Sequence, residues 1–211
     1  DIQKAKEDKN IKGVLFVVDS PGGSVAPSVE LAYAIKELRA KYDIPFIGIE
    51  PAIKPAVTHS KTQIIGILAT QGTLNSELFN KTTEKYHDTK IIEQVGHGLV
   101  QLIENGEINS PEMTKLLYSY LTPMIAANID YLVLGCSHYP YLIPQIKKIL
   151  PEHIQIIDSG QAVAKQTQKI LREKVGFSSV ENSQPIFYSN TNPKVLTEIL
   201  ENKYVVEQKK F

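Results

Sequence analysis

The feature that most constrains this chain is the alternation of short, nearly continuous β-branched runs with longer amphipathic stretches. Apolar runs fall at residues 13–18, 45–49, 64–68, 90–94, 131–134, 154–157 and 185–188. Such runs read as strands buried on both faces. Between them the 3.6-residue period predicts helices over 26–42, 75–86, 111–128, 141–150, 162–175 and 193–201. Strand-helix alternation predicts an α/β fold with a doubly wound parallel sheet, because parallel neighbours need a crossover that covers the sheet. Pro111 after Asn109-Ser110, and Pro193 after Asn192, carry the residue order of capped helix starts. The Ser- and Asn-rich stretch 177–184 reads as a surface loop.

In such sheets ligands bind beyond the carboxyl ends of the strands. Four strand ends carry suggestive residues: Asp19-Ser20-Pro21-Gly22-Gly23, Ala69-Thr70-Gln71-Gly72-Thr73, Gly135-Cys136-Ser137-His138 and Asp158-Ser159-Gly160. Cys136 is the single cysteine, which excludes an intrachain disulfide and a thiolate metal cluster. The five histidines, at 59, 87, 97, 138 and 153, lack close metal-ligand spacing, so no metal is expected. A neighbouring His138 and the amides of a helix beginning after Pro140 both favour thiolate over thiol, from an ordinary value of ~8.5. A thiol so placed can carry a proton near neutral pH. An arbitrary cysteine is more often a small buried hydrophobe. His97 and His153 read as surface residues, and Tyr139-Pro140-Tyr141 reads as packing.

Composition narrows the partners. The 211 residues carry 23 basic and 23 acidic side chains, which gives no electrostatic reason to expect nucleic acid or an anionic membrane. No apolar run approaches the ~20 residues of a membrane span. The charged start, Asp1 to Asn10, is not a signal peptide, and the absent initiating Met suggests a segment of something longer. A cytoplasmic enzyme or binding domain is expected.

Tyr131-Leu-Val-Leu-Gly-Cys-Ser-His-Tyr-Pro140 resembles the second catalytic-cysteine signature of the glutamate racemases, Leu-Gly-Cys-Thr-His-Tyr-Pro, with Ser137 keeping the hydroxyl. Ile44-Pro-Phe-Ile-Gly-Ile-Glu-Pro-Ala52, Ile65-Gly-Ile-Leu-Ala-Thr-Gln-Gly-Thr73, Leu99-Val-Gln-Leu-Ile-Glu-Asn-Gly106, Ile156-Ile-Asp-Ser-Gly160 and Pro185-Ile-Phe-Tyr-Ser189 resemble further segments of that family in the same order, over about residues 34–204. The resemblance implies cofactor-independent interconversion of L- and D-glutamate for peptidoglycan synthesis. Cys136 would be one acid/base thiol, assisted by His138 and Glu104, with Thr70, Thr73, Ser137 and His138 holding the substrate. A homodimer is compatible with it.

Two departures matter. The family's opening strand, its Pro-Tyr-Gly loop and its first-cysteine motif have no counterpart here, and inversion needs proton carriers on both faces of the α-carbon. Impaired racemisation is therefore expected. Residues 1–41 instead resemble the signal peptide peptidase A serine proteases, whose matching loop lies next to the oxyanion hole; Asp19-Ser20-Pro21-Gly22-Gly23 is thus an anion-loop candidate, and otherwise a structural strand-to-helix turn. The chain is thus expected to be a chimera, with a peptidase-like segment 1–41 and an incomplete racemase-like domain 42–211. A protease fragment and a non-catalytic folded relic are the alternatives. Ser20 and Ser24 lack an identifiable base, which argues against the protease.

Overall fold

The computed structural model describes residues 51–174, 185–190 and 192–209. The chain divides into two compact units: residues 1–48 with 162–179, and residues 49–161 with 180–211. In the first unit the described part is the body of one helix, α7 (Gly160–Lys174), which opens in the second unit and contains no buried residue.

The second unit holds a four-stranded sheet, every neighbouring pair parallel, in the order β2-β1-β3-β4. Its strands are β1 (Ile64–Ala69), β2 (Lys90–Val95), β3 (Tyr131–Gly135) and β4 (Gln155–Ile157). Helices α1 (Ile53–His59), α2 (Gln71–Leu74) and α3 (Glu77–Thr83) precede β2. Helices α4 (Leu99–Glu104) and α5 (Pro111–Ala126) lead into β3. A 3-10 turn at Tyr139–Leu142 and α6 (Ile143–Ile146) lead on to β4.

Alternating side chains on the central strands feed two cores. Ile65, Ile67, Ala69 and Val133 pack with Ala52, Ile53, Ala56, Leu74 and Phe79, under α1, α2 and α3. Leu68, Leu132 and Leu134 pack on the other face with Leu99, Ile103, Met113, Leu117, Leu121 and Met124, under α4 and α5. Covering both faces is what a parallel sheet requires. Each fully buried Leu or Ile contributes roughly 1.5–3 kcal/mol relative to exposure.

The expected doubly wound parallel sheet is present, with four differences of detail. Burial on both faces holds for β1 and β3 but not for β2, where Lys90 and Glu93 face solvent, because β2 and β4 are the edges among the described residues. The helix expected over 141–150 is broken into a 3-10 turn and one α-turn, since Pro140 and Pro144 each remove a donor. Helix α1 forms despite Pro55, which sits in its first turn where an N–H has no helical acceptor. Finally, β5 (Ile186–Ser189) joins not the main sheet but a second, two-stranded parallel sheet with β6 (Val205–Gln208), spanned by α8 (Pro193–Ile199). Ile199 packs against the core beneath α4 and α5.

The predicted caps form. Ser110 Oγ accepts from Met113 N at 3.1 Å, and Asn192 Oδ1 accepts from Lys194 N at 3.0 Å. Among the described residues no helix is long and apolar enough to cross a membrane.

Candidate active site

All four strands run the same way, so the segments following them gather on one edge. Ala69 of β1 and Gly135 of β3 are register partners, which places Thr70 and Cys136 on neighbouring strand ends. Strand β3 is buried up to Gly135, and Cys136 is its first partly exposed residue beyond.

From Cys136 a chain of proton-carrying groups runs outward. Its Sγ lies 3.8 Å from His138 Nδ1. The same ring's Nε2 lies 3.3 Å from Glu104 Oε1, the last residue of α4. The imidazole side chain is 7% exposed and the carboxylate 43%, so the series passes from a shielded thiol–imidazole pair to a solvated acid. Sulfur, ring and carboxylate together can shuttle a proton between a ligand at Cys136 and water.

Thr70 and Thr73 also come together. Their hydroxyls are 3.0 Å apart, and Thr70 Oγ1 accepts from Thr73 N at 3.3 Å as the cap of α2. Ser137 is exposed beside Cys136. Asp19, Ser20, Gly22 and Gly23 lie outside the described residues.

One expected contributor is different. The segment after Cys136 presents no full helix to the thiol, because Tyr139–Leu142 is a single 3-10 turn. A turn that short has little macrodipole, and the His138 ring is the polar side chain beside the sulfur among the described residues.

Sequence reasoning passed over the end of β2. Gly96 N donates to Ala69 O at 2.9 Å, and Gly98 takes the left-handed conformation (φ 79°) that opens α4. Tyr139, expected as packing, is fully buried but also donates its hydroxyl to Gly96 O at 3.1 Å. Burial, then the charges of Cys136 and Tyr120, holds the Tyr139 phenol well above its ordinary range. Tyr120, from α5, donates to His97 O at 2.8 Å. A Gly-His-Gly triplet directly after an apolar run was the available signal for this turn.

Fold and strand-end groups define an α/β protein that collects proton-carrying side chains on one sheet edge. The family model for Asp/Glu/Hydantoin racemase matches residues 24–167. A glutamate racemase of Pseudomonas putida (strain W619) is 38% identical over 169 residues, covering 79% of this chain and 64% of that protein. One from Pseudomonas entomophila (strain L48) is 36% identical over 194 residues, covering 91% and 73%. The crystal structure of Escherichia coli glutamate racemase in complex with L-glutamate and the activator UDP-MurNAc-Ala superposes with a TM-score of 0.70 at 25% identity, covering 91% of this chain and 83% of that one. The chain belongs to the glutamate racemase family of amino-acid isomerases. It spans just under two thirds of the Pseudomonas putida relative's length.

Proposed function

We propose that this chain performs glutamate racemase chemistry: cofactor-independent proton transfer at the α-carbon of glutamate, with Cys136 as the base and acid on one face. The observation that carries the proposal is the Cys136–His138–Glu104 series at the carboxyl edge of the sheet. In this reading the Cys136 thiolate takes the α-proton, leaving a carbanion delocalised into the adjacent carboxylate, and the resulting thiol can return it. His138 stands beside the sulfur as its proton partner, and Glu104 faces the far nitrogen of the same ring. Thr70, Thr73 and Ser137 offer hydroxyls to the substrate carboxylates. In a cytoplasmic setting the product would be D-glutamate for peptidoglycan.

Inversion requires a second carrier on the opposite face, and this sequence contains one thiol. The proposal is therefore that α-hydrogen exchange on one enantiomer outpaces racemisation. Proton NMR of L- and D-glutamate in D₂O tests it directly. The intact chain should wash out the α-signal of one enantiomer, and Cys136→Ala should slow this by about 10²–10⁴-fold, the usual worth of a positioned acid/base group. Equal exchange by the Cys136→Ala chain would exclude the thiol as the carrier.

A further inference from the structure

Glu104 and His138 come from different segments, one ending α4 and the other following β3, so something must set their separation. The turn after β3 is tight: Tyr139 N donates to Cys136 O at 3.2 Å and Tyr141 N to His138 O at 3.2 Å. The segment before α4 is equally constrained, with Gly96 N on Ala69 O and Leu99 N on Gly96 O at 3.3 Å. The two meet where Tyr139 Oη donates to Gly96 O at 3.1 Å. A fully buried phenol needs a partner for its hydroxyl, and packing alone would be served by phenylalanine. The contact also fixes the residue at 96: a Cβ there would lie 2.3 Å from Tyr139 Oη and 2.9 Å from its Cζ.

We infer that Tyr139 is a positioning residue, whose hydroxyl bond to Gly96 holds the loop carrying Cys136 and His138 at a fixed distance from the helix carrying Glu104. The inference rests on reading those three groups as an acid/base relay. Among the described residues the ionisable groups at this junction are Cys136, His138 and Tyr139 on the β3 loop, His97 beside Gly96, Glu104 on α4 and Tyr120 on α5. Loosening the tether lets the Glu104 carboxylate retreat from the ring. The ring then loses the carboxylate that orients it, and the Cys136 sulfur loses a ring nitrogen held at a fixed distance.

The test uses the intact chain, where Cys136 is the one thiol and iodoacetamide alkylation reports on it without interference. Alkylation rates across pH give the midpoint of thiolate formation for the parent chain and for Tyr139→Phe, Gly96→Ala, Glu104→Gln and the Tyr139→Phe/Glu104→Gln pair. Tyr139→Phe and Gly96→Ala should each raise the midpoint, slowing alkylation below it by roughly 3–10-fold, the effect of about half to one pH unit. Combined with Glu104→Gln, Tyr139→Phe should add little, because both act through His138. A core control, Ile146→Val, loses packing without touching the relay and should leave the midpoint unmoved.

Loss of stability in Tyr139→Phe with an unmoved midpoint would make the hydroxyl merely structural and overturn the inference. So would full additivity with Glu104→Gln. Should Tyr139→Phe fail to fold, Gly96→Ala carries the same decision. Alkylation requires no turnover: absent α-hydrogen exchange with shifted midpoints sinks the proposed function alone, whereas exchange with unmoved midpoints sinks this inference alone.

Discussion

Replacing Gly135 by alanine should destabilise the second unit and disturb its thiol, whereas the same replacement at Gly72 should stabilise it. A Cβ on Gly135 would stand 2.7 Å from the Cβ of Ala69, its register partner on β1, and 3.5 Å from Pro51 Cγ. Carbon pairs are comfortable at roughly 3.5–4.0 Å, so the strands must part by about 1 Å. Ala69 is fully buried and has no rotamer through which to yield. Overpacking of this kind costs about 1–3 kcal/mol, offset by roughly 0.5 kcal/mol from a stiffer unfolded chain. The net loss is about 0.5–2.5 kcal/mol. A Cβ on Gly72 would meet nothing within 4 Å, and the residue sits in α2, so alanine there should gain about 0.5–1 kcal/mol. Urea unfolding followed by far-UV circular dichroism, with unchanged slopes, orders the three proteins by midpoint. Because Cys136 follows Gly135 directly, Gly135→Ala should also alter alkylation of the thiol, and Gly72→Ala should not. A Gly135→Ala protein as stable as its parent would refute the packing argument, as would a destabilised Gly72→Ala protein.

At the opposite edge of the sheet, Asp130 accepts from Ser60 Oγ at 2.6 Å, Lys61 N at 2.5 Å and Thr62 N at 3.0 Å. Burial alone would raise its carboxyl, but the donors from Ser60, Thr62 and Lys61 outweigh this and hold it below its ordinary 3.8. A depressed folded value means stability that is present above the ordinary value and lost as pH falls through the folded one. Asp130→Asn should therefore flatten the acid limb of the stability curve and cost about 1–2 kcal/mol at neutral pH, a figure discounted for partial solvation. Thiol reactivity should be untouched, and a parallel loss of alkylation would contradict that separation. Tyr139 titrates in the other direction. Its raised phenol contributes stability in full below its ordinary 10.0, and this is lost as pH climbs toward the folded value. Tyr139→Phe should remove that alkaline slope in denaturation midpoints measured from pH 8 to 11, and an unchanged slope would assign the alkaline sensitivity elsewhere.

The strands β1, β2 and β3 were legible in the sequence to within a residue, because β-branched runs bounded by polar turns have few other uses. So were the caps at Ser110 and Asn192, where proline follows a side-chain acceptor. Helix α1 escaped because Pro55 reads as a breaker until its place in the first turn is known. Helix α2 is a single turn containing Gly72, and β6 is four residues of which two are Glu and Gln, so neither presents a period long enough to detect. Of the candidate site, the meeting of Cys136 with His138 follows from two-residue spacing alone. The approach of Glu104, far earlier in the chain, does not: motif resemblance marked it, and the Tyr139–Gly96 contact that sets its distance belongs to tertiary structure.

Each described member of the thiol series and both threonines belong to residues 49–161. The distances among these groups are therefore contacts made within one stretch of polypeptide, and it is there that a substitution reaches them directly.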